Sequence, residues 1–243
     1  MLWLVGLGAF AVLMTLAGKA RGESLNVSNI NTKTSSVVKW SPAVQAIATL
    51  ENIPWQFAMA WLAVESGGNV CAYGVPSAKG PDGQPQELGL FQLYNPDDLK
   101  RFGATGAELR AYCVPGTQKQ SRELTPEELG RHIKLGIQLI KYSAAQSGRY
   151  MAESGISWPT SGKDYWRAVK LWHALPVIVK SGFASVTKKL GHPPRTWSEF
   201  RKTYETINPR ARFVPGKDKQ DGYYRALDNA EKTGEFAPEK AVG

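Results

Sequence analysis

Apolar residues recur at helical spacing along most of the chain, and this pattern predicts a mainly α protein. The longest run follows Thr125, where an apolar residue recurs every three or four positions from Leu129 to Ile140. Thr125 and Glu128 have the spacing of a capping box, which marks the start of a helix. We expect this helix to end near residues 147–148 and to form the buried centre of the fold.

Shorter helices are predicted on both sides of the long one. Ser41 and Pro42 mark the start of the first, residues 163–174 form another, and Thr196 caps the last, which ends at Asn208. Long alternating runs are absent, so the room for strands is a single hairpin between residues 69 and 93. The predicted fold class is therefore mainly α (α+β) with a small β-hairpin.

The two ends of the chain differ in composition from its centre. Residues 1–20 contain an uncharged apolar run of 17 residues, Leu2 to Gly18, which reaches the lower limit for a membrane-spanning helix. We expect a transmembrane or signal-arrest helix there, because no basic residue precedes it and no clear cleavage site follows it. A flexible polar tether at residues 21–40 precedes the folded domain at 41–208, and residues 209–243 form a basic linker with a C-terminal helix or tail.

A predicted helix from Pro54 ends in a carboxylate, Glu65, just before Gly67 and Gly68. The negative end of the helix dipole and the apolar neighbours both disfavour the charged form, so we expect the pKa of Glu65 to be raised. A carboxylic acid that keeps its proton can protonate the leaving oxygen of a glycosidic bond. The alternative is an ordinary exposed carboxylate at a helix end.

Two short motifs follow one another in this region: Glu-Ser-Gly at residues 65–67 and Gly-Leu-Phe-Gln at residues 89–92. In this order they resemble the lytic transglycosylase and goose-type lysozyme family, in which Glu-Ser-Gly ends the catalytic helix and Gly-Leu-Met-Gln follows a short hairpin. Phe91 stands where methionine is usual in that family. The resemblance implies a lysozyme-like fold, with Glu65 as the catalytic residue.

The resemblance also implies a sugar-binding surface around Glu65. Trp172-His173 stands where the family usually has Tyr-Asn, so we expect Trp172 to stack on a pyranose and Gln92 to bond an acetamido group through its amide. The alternative for Trp172 is core packing. The residues expected to contact the substrate are Ser66, Gly89, Leu90, Phe91, Gln92, Trp172 and His173.

The activity implied by the resemblance is that of a peptidoglycan lytic transglycosylase. Such an enzyme cleaves the MurNAc-GlcNAc β-1,4 bond and forms 1,6-anhydro-MurNAc, with a single Glu acting as general acid and then as base. Two alternatives stay open: a hydrolytic muramidase, and a catalytically silent, membrane-anchored module for wall binding or assembly.

Net charge and motif content limit the classes of partner that we expect for this chain. The formal net charge of +9 suits an anionic partner such as a cell wall or an acidic membrane face. The chain has no zinc-finger spacing, RNA-binding signature or basic heptad helix, so we expect no nucleic-acid partner. We also expect no metal and no cofactor, because no His or Cys cluster has ligand spacing and no phosphate-binding loop follows a strand.

The two cysteines, Cys71 and Cys113, can pair in an oxidising compartment. Closing a loop of ~42 residues would stabilise the fold by roughly 4 kcal/mol in the chain-entropy model. The alternative is two free, buried thiols.

The expected location follows from the implied substrate. We expect a membrane-anchored protein whose catalytic domain faces the periplasm and the cell wall, or a virion-associated protein, with assembly into an envelope-spanning or virion complex as a further option. Lys19 and Arg21 follow the apolar segment and favour a cytoplasmic domain instead. The charge pattern and the implied function therefore disagree on orientation.

Overall fold

The computed structural model describes residues 37–74, 83–94 and 97–209. The predicted N-terminal membrane segment, nearly all of the tether and the C-terminal extension after residue 209 lie outside the described residues. Described helices and strands follow in chain order: α1 (Ser41–Leu50), α2 (Trp55–Ser66), β1 (Glu87–Leu88), β2 (Leu93–Tyr94), α3 (Asp97–Arg101), α4 (Gly106–Arg110), α5 (Pro126–Glu153), α6 (Lys163–Ala174), α7 (Pro176–Leu190) and α8 (Trp197–Ile207). This is a mainly α architecture with a small antiparallel sheet, as the sequence predicts.

Helix α5 is the central element, and α1, α6 and α7 pack against it. The predicted capping box is present, with the Thr125 hydroxyl accepting from the Glu128 N–H and the Glu128 carboxylate accepting from the Thr125 N–H. The predicted end at residues 147–148 is wrong, since the helix continues to Glu153. It continues because Met151 is buried, so the last turn still packs on the core.

Helix α6 has the predicted bounds, but α7 was not foreseen. Pro176 occupies the first turn of α7, where its missing N–H costs nothing. Gly191 then ends α7 in the left-handed conformation. Helices α6, α7 and α8 pack on one another and close this side of the core.

The sheet is minimal and positions a turn. β1 and β2 pair antiparallel, with Glu87 opposite Tyr94 and Leu88 opposite Leu93. Residues 89–92 connect the strands, so the Gly-Leu-Phe-Gln motif forms the whole turn. The described chain therefore presents this motif at a fixed place beside α5.

Two features brace the segment that follows α2. Cys71 and Cys113 form a disulfide bond, with their Cα atoms 5.8 Å apart. Arg110 donates to the Cys71 carbonyl at 2.7 Å, which ties α4 to the same point.

Trp40 was expected to belong to the tether, but it is buried in the core. Its indole N–H donates to the Gly68 carbonyl at 2.8 Å, so the folded domain begins before Ser41.

Within residues 37–74, 83–94 and 97–209, no helix has the length and apolar character needed to cross a membrane. The predicted span at residues 1–20 falls outside these ranges.

Candidate active site

Glu65 lies in the last turn of α2, as predicted, and the helix end around it is tightly fixed. Gly67 takes a left-handed φ of 59° and ends the helix. The Ser66 hydroxyl donates to the Leu62 carbonyl at 3.0 Å and accepts from the Gly68 N–H at 3.2 Å. The hydroxyl proton of Ser66 is thus already used inside the protein, and Ser66 braces the helix end while lining the cleft beside Glu65.

A lysine that the sequence analysis did not single out contacts the carboxylate. The ammonium of Lys170, on α6, forms a hydrogen-bonded ion pair with the Glu65 carboxylate. The Lys170 side chain is 1% exposed and that of Glu65 is 11% exposed. The prediction for Glu65 considered only the helix dipole and the apolar neighbours, because this cation is 105 positions away in the chain.

Two aromatic rings complete this wall of the site. The Lys170 ammonium lies 4.1 Å from the centroid of the Trp61 ring, which is fully buried in α2. The His173 ring lies 4.9 Å from the same ring, centroid to centroid. Burial, with a smaller contribution from the charge of Lys170, holds the pKa of His173 well below its usual range. His173 is therefore a neutral imidazole at neutral pH.

The turn at residues 89–92 is held in an unusual backbone conformation. Gly89 has φ of 76°, and Gln92 has φ of 50°, which is uncommon for a residue with a side chain. The Gln92 side-chain amide donates to the Gly89 carbonyl at 2.9 Å, and the Gly89 N–H donates to the Ala72 carbonyl at 2.8 Å. Residues forced into this region of φ cluster at functional sites, so the strain directs attention to Gln92.

A buried histidine on α5 secures that turn. The Leu90 N–H donates to Nε2 of His132 at 2.9 Å, so the ring proton of the neutral histidine is on Nδ1 and is donated to the Tyr112 hydroxyl. Burial lowers the pKa of His132 to about 3. Burial also raises the pKa of Tyr112, so both rings remain uncharged.

Gly89 was expected to contact the substrate, and that contact stays a prediction. The structure gives a separate reason for a glycine here, since a Cβ at this position would lie 2.3 Å from His132 Nε2. Glycine is needed because the histidine that holds the turn packs directly against it.

Leu90 and Phe91 were also expected to contact the substrate, and for their side chains this prediction is wrong. Both side chains are fully buried in the core, so neither can touch a substrate. A Cβ on Gly136 would lie 2.0 Å from the Phe91 ring, which shows that α5 leaves a gap for this ring. The motif thus directs Gln92 toward the cleft by anchoring the two residues before it.

Trp172 lines the cleft but is 8% exposed. Its ring stacks on Tyr150, with centroids 5.3 Å apart, and the Lys180 ammonium lies 5.5 Å from its centroid. Little of the ring remains open for a sugar. Core packing, the alternative raised from the sequence, accounts for most of its surface.

The cleft has two adjoining parts, of about 490 Å³ and about 440 Å³. Glu65, Glu87 and Gln92 line both parts and therefore stand where the two meet. Beyond these three, the larger part is lined by residues that include Tyr94, Asp98, Arg101, Tyr142, Trp172 and His173, and the smaller part by residues that include Ser66, Tyr73 and Gln118.

Two residues of the site that were not predicted, Lys170 and His132, are only weakly indicated by the sequence. Lys170 lies between Val169 and Leu171, so it is a charged residue within an otherwise apolar stretch of the helix. His132 likewise lies one turn before Gly136, on the face of α5 that meets the turn. Across residues 37–74, 83–94 and 97–209, no group of three acidic, His or Cys side chains has metal-site geometry.

No family model, curated protein or solved structure matches this chain. The assignment to a family therefore remains a prediction that rests on the two motifs.

Proposed function

We propose that this protein is a peptidoglycan lytic transglycosylase with a lysozyme-like fold. Glu65 is the general acid and then the general base, and the glycan strand lies along the two-part cleft. The observation that carries the proposal is the position of Glu65 and Gln92 at the junction of the two parts. A polymer cleaved in the middle must extend on both sides of the catalytic group, and this cleft offers space on both sides.

The proposed reaction needs one proton donor and one acceptor at the same place. Glu65 gives its proton to the glycosidic oxygen as the bond from C1 breaks, and the sugar's N-acetyl group stabilises the cation-like centre. The Glu65 carboxylate then takes the proton of the 6-hydroxyl, and O6 bonds to C1. One proton leaves Glu65 and one returns, so the enzyme is regenerated.

Gln92 supports this role through its placement. Gln92 is 5% exposed, it lines both parts of the cleft, and its amide nitrogen donates to the Gly89 carbonyl. The amide is therefore held in one orientation before substrate binds, which lowers the ordering cost of recognition. We assign it to the acetamido group of the sugar beside Glu65.

A hydrolytic muramidase is the second candidate, and Glu87 is the observation that favours it. Its carboxylate also lines both parts of the cleft. Glycosidases that use water commonly pair an acid with a second carboxylate. In this version Glu87 would activate water and the product would carry a reducing end.

The membrane anchor and the wall-facing location belong to the same proposal. A segment at residues 1–20 that holds the enzyme at a membrane would keep the cleft close to its substrate. The net charge of +9 suits the anionic wall.

The test is Glu65→Gln, assayed on purified peptidoglycan with mass spectrometry of the products. We expect the cleavage rate per folded molecule to fall by about 100- to 10,000-fold, the usual contribution of a general acid. Anhydro-muropeptides identify the transglycosylase, and reducing ends identify the muramidase. If the wild type gives no product, the hypothesis that remains is the catalytically silent wall-binding module.

Melting must be measured beside activity, because Glu65→Gln leaves the buried Lys170 without its charged partner. Breaking such a pair typically costs about 3–5 kcal/mol. Glu153→Gln is the matched control, since Glu153 pairs with Arg149 at 3.8 Å on the exposed surface of α5. A folded Glu65→Gln protein with near-wild-type turnover would rule out the proposed acid.

A further inference from the structure

Lys170 is a cation enclosed in the wall of the cleft. Its side chain is 1% exposed, its ammonium pairs with the Glu65 carboxylate, and it lies 4.1 Å from the centre of the Trp61 ring. Taking an ammonium out of water is costly unless charge and hydrogen bonds compensate. Here the compensating groups are a candidate catalytic acid and an aromatic face, so the pair does more than fill space.

The other ionisable groups around the cleft do not replace this contact. From α3, Arg101 pairs with Asp98 at 3.0 Å, so these two charges largely balance each other. His173, beside Lys170 on α6, is held neutral by burial. Further ionisable side chains that line the cleft come from the segment after α2, from the sheet, from α3 and from α5: Tyr73, Glu87, Tyr94, Asp97 and Tyr142.

We propose that Lys170 is a positioning residue whose charge fixes the Glu65 carboxylate in the cleft. This inference rests on the proposed role of Glu65 as general acid. Glu65 ends α2 and Lys170 lies on α6, so their contact also links the two helices that form this wall.

The expected effect follows from geometry. The Glu65 carboxylate lies at the end of α2, and its contact with the Lys170 ammonium on α6 fixes where its oxygens stand in the cleft. An acid misplaced by about 1 Å can lose about 100-fold in rate. Removing the ammonium should therefore lower kcat much more than it changes KM, because the contacts that bind the glycan elsewhere in the cleft remain.

The experiment compares neutral and charged replacements in the full-length protein. Lys170→Met and Lys170→Gln remove the charge, and Lys170→Arg keeps it. Lys141→Met is the matched control, because Lys141 pairs with Glu51 at 2.7 Å outside the cleft. The kcat and KM of peptidoglycan cleavage are measured for each protein. We expect kcat to fall by about 100-fold in both neutral variants with KM little changed, and both values to stay close to the wild type in Lys170→Arg and Lys141→Met.

A second readout does not depend on wall cleavage. The protein is labelled with ¹³C at the glutamate carboxyl carbons, and loss of a signal in Glu65→Gln assigns Glu65. This signal should shift or broaden when Lys170 becomes neutral and should stay close to the wild type in Lys170→Arg. If the wild type cleaves no wall, the proposed function fails while this signal still decides the role of Lys170.

One result would overturn the inference: a folded neutral variant that keeps the wild-type kcat and leaves the Glu65 signal unchanged.

Discussion

Buried, neutral His132 should make the fold sensitive to mild acid. The imidazole is fully enclosed, and burial lowers its pKa to about 3. In the unfolded chain a histidine takes up its proton near pH 6.5. Between these two values the unfolded state binds the proton and the folded state does not. The stability that His132 contributes is therefore fully present above about pH 6.5 and is lost as the pH falls toward about 3.

The size of the loss follows from proton linkage. From about pH 7 to about pH 5 the unfolded histidine becomes almost fully charged while the buried one remains neutral. One pH unit corresponds to about 1.4 kcal/mol, so His132 alone should lower the free energy of unfolding by about 2 kcal/mol over this interval. His173 is also held neutral by burial and adds a loss in the same direction.

The assay is urea unfolding of the wild type and of His132→Gln at both pH values. Gln can still accept from the Leu90 N–H but does not titrate in this range. His132→Gln will be less stable at neutral pH, because it loses the ring and the Tyr112 contact. The informative quantity is the difference between the two proteins in the stability lost from about pH 7 to about pH 5. The wild type should lose about 2 kcal/mol more than His132→Gln. The His173 contribution cancels in this comparison. Equal losses in the two proteins would show that His132 is not neutral in the fold.

Two further predictions concern packing and cross-linking. Replacing both Cys71 and Cys113 by Ser should lower the free energy of unfolding by about 4 kcal/mol, measured by chemical denaturation without reductant; an unchanged denaturation midpoint would contradict the bond. Gly136→Ala should destabilise by about 1–3 kcal/mol, because the added Cβ would lie 2.0 Å from the Phe91 ring. Gly148→Ala is its control on the same helix: the nearest atom lies 3.5 Å away, so thermal melting should rise rather than fall.

Most of the helices could be predicted from the sequence, because capping residues and apolar spacing are local signals. Three local signals each predicted a helix that the structure contains: Thr125, Thr196 and the apolar pattern at residues 163–174. The errors arose where tertiary packing overrode a local signal. Gly148 did not end α5, since the next turn still buries Met151. No helix was predicted directly after Ala174, although proline at position 176 suits the start of one.

The candidate site was only partly readable, for a different reason. Glu65 and Gln92 were found because they belong to contiguous motifs. Lys170 was not, because its partner is 105 positions away in the chain. Leu90 and Phe91 were misassigned because a motif does not say which of its side chains face the cleft and which hold the turn.

The positions of the candidate acid and of its facing amide depend on different helices. Glu65 is paired with Lys170 on α6, whereas the turn that carries Gln92 is secured by His132 on α5. Because α5 and α6 pack directly on each other, their contact sets the distance across the cleft. The long helix was expected from the sequence to be a passive centre, but it holds one wall of the site in place. A substitution at the α5–α6 contact should therefore affect activity without touching either polar side chain.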